Sequence, residues 1–142
     1  MTDQLKLANQ VCFPVYTLAK EIINQYRPIL KEMDLTYPQY LVMMVLWESK
    51  EQTVSEIGEK LNLDSGTLTP LLKRLETKKL ITRKRKKTDE RVVAIALTPE
   101  GFEKKEMAEL IPERVAESLN ISMEELNELK RITEKVIKKI KS

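Results

Sequence analysis

The chain has 142 residues, room for one compact domain with helical extensions, and its 42% hydrophobic and 33% charged residues suit a globular core. A net charge of +3 is too small for a disordered polyelectrolyte, and the absence of histidine excludes a histidine triad, general base or metal ligand. The single cysteine, Cys12, has no intrachain disulfide partner and suits a reducing compartment, so a cytoplasmic protein is expected. No apolar run approaches about 18 residues, and the start MTDQLKLANQ lacks a basic and then apolar leader, so neither membrane span nor signal peptide is expected. No cofactor and no metal is expected either.

In chain order, Val11, Val15, Leu18, Ile22 and Ile29 recur near helical spacing and predict a first helix that bends or ends near Pro28. Pro14 complicates its start. Thr36-Tyr37-Pro38-Gln39 has the form of a capping box, opening a helix through Leu41, Val45 and Trp47. Thr53-Val54-Ser55-Glu56 repeats the signature before a short helix that ends near Asn62, with Ile57 and Leu61 on one face. After the turn Leu63-Asp64-Ser65-Gly66, a helix to about Lys78 places Leu68, Leu71, Leu72 and Leu75 on one side. Thr67, Thr69, Lys73 and Arg74 fall largely on the other. Two short helices around a tight turn, the second bearing hydroxyls and cations, form a helix-turn-helix arrangement.

Leu80–Arg85 and Arg91–Leu97 are rich in β-formers and flank the polar Lys86–Glu90, which predicts a β-hairpin with a cationic tip. Helix, helix and basic hairpin in that order describe a winged helix. Between Lys73 and Arg91 stand ten cations against three acids, a balance of +7 that leaves −4 for the rest of a chain totalling +3. So concentrated a positive face calls for a polyanion, nucleic acid first and an anionic membrane surface second. Thr98-Pro99-Glu100 then starts another helix, Pro112 and Asn120 punctuate the acidic remainder, and Ser122-Met123-Glu124-Glu125 opens a last one. Its Leu126, Leu129, Val136 and Ile140 are spaced like heptad positions.

The expected fold class is therefore mainly α with a small β-hairpin wing, a single domain over residues 1–142. The winged helix-turn-helix occupies about 36–100, and the flanks, about 1–35 and 100–142, form dimerisation helices. These flanks are too long for so small a winged helix to bury. A twofold homodimer would set two recognition helices about 34 Å apart, the spacing of a pseudo-palindromic operator in double-stranded DNA.

The segment Leu63–Glu76, then Leu80-Ile81-Thr82-Arg83, Asp89-Glu90-Arg91 and Leu97-Thr98-Pro99-Glu100-Gly101, closely resembles the MarR family of bacterial winged-helix repressors along essentially the whole chain. Asn9–Phe13, Gln25-Tyr26 and Thr36–Tyr40 are similar to the branch that senses organic hydroperoxides through one cysteine. The resemblance implies a homodimeric regulator in which peroxide oxidises Cys12 while Tyr26 and Tyr37 hydrogen-bond the reactive sulfur. On the DNA side, Ser65, Thr67, Thr69, Lys73 and Arg74 of the recognition helix face the major groove. Arg83, Lys84, Arg85, Lys86 and Lys87 line the wing, and the resemblance puts Arg91, oriented by Asp89, in the minor groove. Pro14 departs from the family pattern and predicts a helix that begins later or kinks beside Cys12.

A cysteine reacts with peroxide as its thiolate, and phenolic donors stabilise a sulfur anion without adding charge. Tyr16 stands one turn after Cys12, and Tyr26 and Tyr37 approach from the same or the other subunit. With one cysteine in the chain, a sulfenate at Cys12 would react with a low-molecular-weight thiol, attack a backbone amide or oxidise further. Three other readings stay open: a repressor released by a small apolar or phenolic ligand with Cys12 inert, a thiol peroxidase, and a membrane-surface binder. The enzyme reading suffers from the missing histidine and second cysteine.

Overall fold

The structure, a computed structural model, describes residues 2–142. Short 3-10 turns at Thr2–Leu5 and Leu7–Asn9 precede α1 (Cys12–Lys31), α2 (Tyr37–Ser49), β1 (Glu51–Thr53), α3 (Val54–Leu61) and α4 (Ser65–Thr77). Strands β2 (Ile81–Arg85) and β3 (Val93–Leu97) follow, then α5 (Pro99–Ala108), α6 (Ile111–Leu119) and α7 (Met123–Lys141). The chain forms two compact units, one of Arg27–Glu109 and the other of the chain up to Tyr26 together with Leu110–Ser142.

In the Arg27–Glu109 unit the helix starts are written in the local sequence. The Thr36 hydroxyl accepts from the Gln39 amide while the Gln39 side chain accepts from the Thr36 amide, and Thr53 and Glu56 repeat this exchange at α3. Asp64 caps α4 and Thr98 caps α5. Nearly all of α2 is apolar, and it buries Tyr40, Val42, Met43, Val45 and Leu46. Leu68, Leu71, Leu72 and Leu75 of α4 complete this core with Ile57, Ile81 and Ile95.

The sheet has a strand beyond the expected hairpin. Its order is β1-β3-β2, all antiparallel, with Gln52 opposite Ile95 and Arg83 opposite Ile95 from the other side. Strand β1 has three residues, too few to show an alternating pattern, and its pairing lies some forty residues downstream in β3. Two glycines let backbones pass closely. A Cβ at Gly58 would lie 2.8 Å from the Leu63 carbonyl oxygen, where α3 turns toward α4, and one at Gly101 would lie 2.1 Å from the Leu80 oxygen, where α5 crosses the root of β2. The Trp47 indole donates to the Gly101 carbonyl at 2.9 Å and ties α2 to α5.

The other unit is built differently. Ile111 and Val115 of α6 are buried, whereas α7 buries no residue although its start carries a complete Ser122–Glu125 capping box. Helix α1 begins at Cys12, so Pro14 is its third residue. An amide there has no intrahelical acceptor, and the carbonyl four residues earlier belongs to Gln10, which is extended and outside the helix. Helix α1 thus starts two residues before Pro14, with Val11 outside it, and Pro14 costs it no hydrogen bond. Helix α1 ends at Lys31, within a turn of Pro28, and the boundary between the two units falls just before that proline.

Candidate nucleic-acid interface and thiol site

The helix-turn-helix is locked by its turn. Asn62 takes a left-handed conformation (φ 57°), the Leu63 amide donates to the Gly58 carbonyl at 2.9 Å, and the Asp64 carboxylate accepts from the Thr67 amide at 2.7 Å. That bond holds the Asp64 carboxyl below its ordinary range, as the Thr53 amide does for Glu56, with Lys86 of the wing and Lys60 adding to the effect at Glu56. With the leucines of α4 buried, Ser65, Thr67, Lys73 and Arg74 are exposed and Thr69 is half-buried. These five residues stand on the outward side of α4.

Between α4 and the wing lies a cleft of about 420 Å³. Ser65, Thr69 and Lys73 line one wall, and Arg83, Arg85 and Arg91 the other. Four cations meet there with no carboxylate among the lining residues, a setting for phosphate oxygens. Thr53 and Ser55, at the start of α3, close the end of the cleft. Sequence reasoning missed both, because it assigned the contacts to α4 and the hairpin and took this capping box as purely structural.

The wing cations divide into two sets. Arg83 reaches back to α4, its Nε donating to Glu76 Oε1 at 3.1 Å and its Nη2 lying 3.1 Å from the same oxygen. Arg85 Nη1 donates to the Glu90 carbonyl at 2.8 Å. Asp89 Oδ1 accepts from both the amide and Nε of Arg91, at 3.0 and 3.3 Å, so the expected orienting contact is present while the guanidinium stays open to solvent. Lys84, Lys86 and Lys87 are exposed. The three arginines are thus aimed by acceptors of the chain, and the lysines supply exposed surface charge.

A second cavity, of about 520 Å³, is ringed by Asp34, Lys78, Glu100, Glu103 and Lys104, with Leu80 and Met107. Lys78 donates to Gln39 Oε1 at 3.0 Å and Lys104 to the Met33 carbonyl at 2.9 Å, so both ammonium groups close the turn after α1. This charged lining is unlike the apolar pocket of a phenolic ligand. Among the described residues no group of three or more metal-ligating side chains gathers.

Cys12 is the first residue of α1 and is exposed. Tyr16, one turn on, is 61% exposed, with Lys20 Nζ 4.8 Å from its ring centroid. Tyr26 stands fourteen residues along the same helix, about 21 Å from Cys12 at 1.5 Å per residue. The structure therefore does not bring Tyr26 to the sulfur of its own chain. Tyr37 opens α2, half-buried, its ring 6.3 Å from that of Tyr40, and burial pushes its phenol above the ordinary value.

A recognition helix and an arginine-lined wing around an acid-free cleft define a winged-helix DNA-binding protein. The sequence profile of the SarA/Rot transcriptional regulators matches residues 24–108. The organic hydroperoxide resistance transcriptional regulator of Bacillus subtilis is 49% identical over 128 residues, 90% of this chain and 87% of that protein. The SarZ regulator of Staphylococcus aureus is 42% identical over 123 residues, 87% of this chain and 83% of its own length. The structure of reduced AbfR bound to DNA is 38% identical, with a TM-score of 0.81 over 98% of this chain and 95% of that one, and AbfR is also known in overoxidised and disulfide-formed states. The chain belongs to the SarA/Rot family of transcriptional regulators, within the MarR-like winged-helix proteins, and it is a regulator and not an enzyme.

Proposed function

We propose that the protein is a homodimeric, cytoplasmic repressor that holds a pseudo-palindromic operator and releases it when an organic hydroperoxide oxidises Cys12. The observation that carries the reading is the placement of Cys12, the chain's one thiol, exposed at the head of α1 within the unit whose apolar side chains lie open. The regulators similar to this chain, one of organic hydroperoxide resistance and one solved reduced on DNA and overoxidised, support it. No helix among the described residues is long and apolar enough to cross a membrane.

Residues of about 36–100 serve as the winged helix, with Ser65, Thr67, Thr69, Lys73 and Arg74 at the major groove. Arg91 enters the minor groove, Lys84, Arg85, Lys86 and Lys87 meet phosphates, and Arg83 braces the wing against α4 through Glu76. The flanking segments, about 1–35 and 100–142, pair two chains. Because Tyr26 lies so far along its own α1, the phenols that hydrogen-bond Cys12 are Tyr26 and Tyr37 of the partner subunit. In the sensing step the sulfur attacks the hydroperoxide, the O–O bond breaks, the alcohol leaves, and Cys12 becomes a sulfenic acid, oxidised by two electrons while the peroxide is reduced. A low-molecular-weight thiol then condenses with the sulfenic acid, releasing water and leaving a mixed disulfide. A bulky adduct at the dimer contact is the lever on the recognition helices.

The test is a gel shift on the DNA upstream of the protein's own gene, with and without an organic hydroperoxide. The parent is expected to release the DNA, and Cys12→Ser to bind it equally well and stay bound. Release of Cys12→Ser by hydroperoxide at the parent's rate would end the redox reading.

A further inference from the structure

The chain has three glycines. Gly58 and Gly101 are accounted for by backbone that passes where a Cβ would stand, but Gly66 is not. A Cβ there would meet only Asp64 Oδ1, at 3.5 Å, an ordinary contact, and no glycine of the described residues takes a positive φ. Gly66 is nonetheless exposed in the first turn of α4, where glycine is a poorer helix former than alanine. Four residues on, in the same outward row, is Pro70, also exposed and the sixth residue of the helix. Proline has no N–H to give the Gly66 carbonyl, and its ring crowds that carbonyl, so this position too works against the helix. Two unfavourable residues one turn apart on the same exposed row leave α4 with a low, apolar edge. Lys73 and Arg74 continue that row one turn further, and Ser65, Thr67 and Thr69 flank it.

The geometry points to the Gly66–Pro70 edge as a base-reading contact. The missing side chain at Gly66 lets the helix backbone approach a base pair in the major groove, and the Pro70 ring seats on a thymine C5-methyl group. The first turns of a recognition helix are the part that meets base edges. Apolar contact is the means of reading the thymine methyl, which no other base carries there. A glycine is the residue that permits backbone to come that close to a ligand. The inference rests on α4 being the recognition helix and names what two of its residues read.

The experiment compares the parent, Gly66→Ala, Pro70→Ala and Thr67→Ala/Thr69→Ala on a duplex that the protein itself selects from a randomised pool and on random-sequence DNA, with thermal unfolding alongside. Gly66→Ala is expected to raise the unfolding midpoint by about 2–4 °C. It should also weaken the selected duplex at least ten-fold more than random DNA. Uracil replacing one particular thymine of the selected duplex should weaken the parent about five-fold and leave Pro70→Ala unmoved. Unchanged discrimination by Gly66→Ala, a fall in its unfolding midpoint, or uracil effects equal in the parent and Pro70→Ala at every position would overturn the contact. The double threonine variant separates the two levels. If it loses discrimination while Gly66→Ala keeps it, α4 reads the groove without this edge, and if neither loses any, α4 is not the recognition helix.

Discussion

The unit of Arg27–Glu109 and the unit of the chain ends solve the problem of burial in opposite ways. The first holds every buried apolar side chain of the described residues except Ile111 and Val115, and its helices cap, its strands pair and its wing arginines are aimed without help. The second leaves Val11 open just before α1, Val15 and Leu18 open in its first turns, and Ile132, Val136, Ile137 and Ile140 open on α7. An apolar stripe of that length on a surface marks an interaction site, and an amphipathic helix that buries nothing in its own chain finds its core in a second copy. The DNA-binding half is thus a finished body, while the other half waits for its partner. The proposed sensor, Cys12, stands in the unfinished half, where contacts between two chains are easier to disturb than a closed core.

Breaking the partner contact should give the largest effect. Glutamate at both Val136 and Ile140 places two charges in the α7 stripe, and burying an unpaired carboxylate in an apolar contact is prohibitive. Sedimentation should show a monomer. Operator affinity should fall more than about 100-fold, because two half-sites are then no longer held together. The far-ultraviolet helix signal of the Arg27–Glu109 unit should persist. A variant that stayed dimeric would move the interface off α7 and undo the contrast between the units.

Inside the finished unit the prediction concerns single contacts. Arg91→Ala should cost about 1–3 kcal/mol of DNA affinity, and each wing lysine lost from a phosphate contact should flatten the salt slope by about 0.9. Arg83→Ala should act by another route. Its guanidinium is spent on Glu76, so the substitution should loosen the wing against α4 and weaken binding with a smaller change in salt slope. Equal salt slopes for the two variants, measured by titration in increasing salt, would show that Arg83 meets phosphate directly.

The sequence was most legible where structure is local. The capping boxes at Thr36–Gln39, Thr53–Glu56 and Ser122–Glu125 form as their spacing implies, since a cap involves residues three apart. The mainly helical fold with a small wing was readable for the same reason. Strand β1 was not, because three residues become a strand only through β3. Of the candidate site, the outward row of α4 followed from the leucine spacing. Thr53 and Ser55 needed the cleft itself, and the separation of Cys12 from Tyr26 became arithmetic only once α1 was seen to run unbroken between them.

That separation sharpens the comparison in the sensing half. Phenylalanine at Tyr26 or Tyr37 removes a phenol proposed to donate to the thiolate and should slow oxidation by hydroperoxide about ten-fold, with reduced-state DNA affinity unchanged. A mixed dimer of one unsubstituted chain and one chain carrying Cys12→Ser together with both phenylalanine substitutions is the decisive case. Its remaining Cys12 sits on the chain that lacks the tyrosine changes, facing a partner that has them. If the phenols come from the partner, stopped-flow oxidation of this dimer should be slow. Parent-like speed would return the phenols to the same chain.

The smallest effect tests whether the finished unit is as complete as its burial suggests. Gln52 on β1 is 9% exposed, faces Ile95 across the ladder, and its Oε1 is buried without a hydrogen-bond partner. A buried acceptor left unpaired is a standing penalty that no partner chain removes, because it lies inside this unit. Leucine has nearly the same volume and no carbonyl, so Gln52→Leu should stabilise the protein by about 1 kcal/mol and raise the unfolding midpoint by about 2–4 °C. DNA affinity should be unchanged, since Gln52 does not line the cleft. A lowered midpoint would mean that the amide is held by ordered water at the edge of β1, and the DNA-binding unit would then owe part of its stability to solvent.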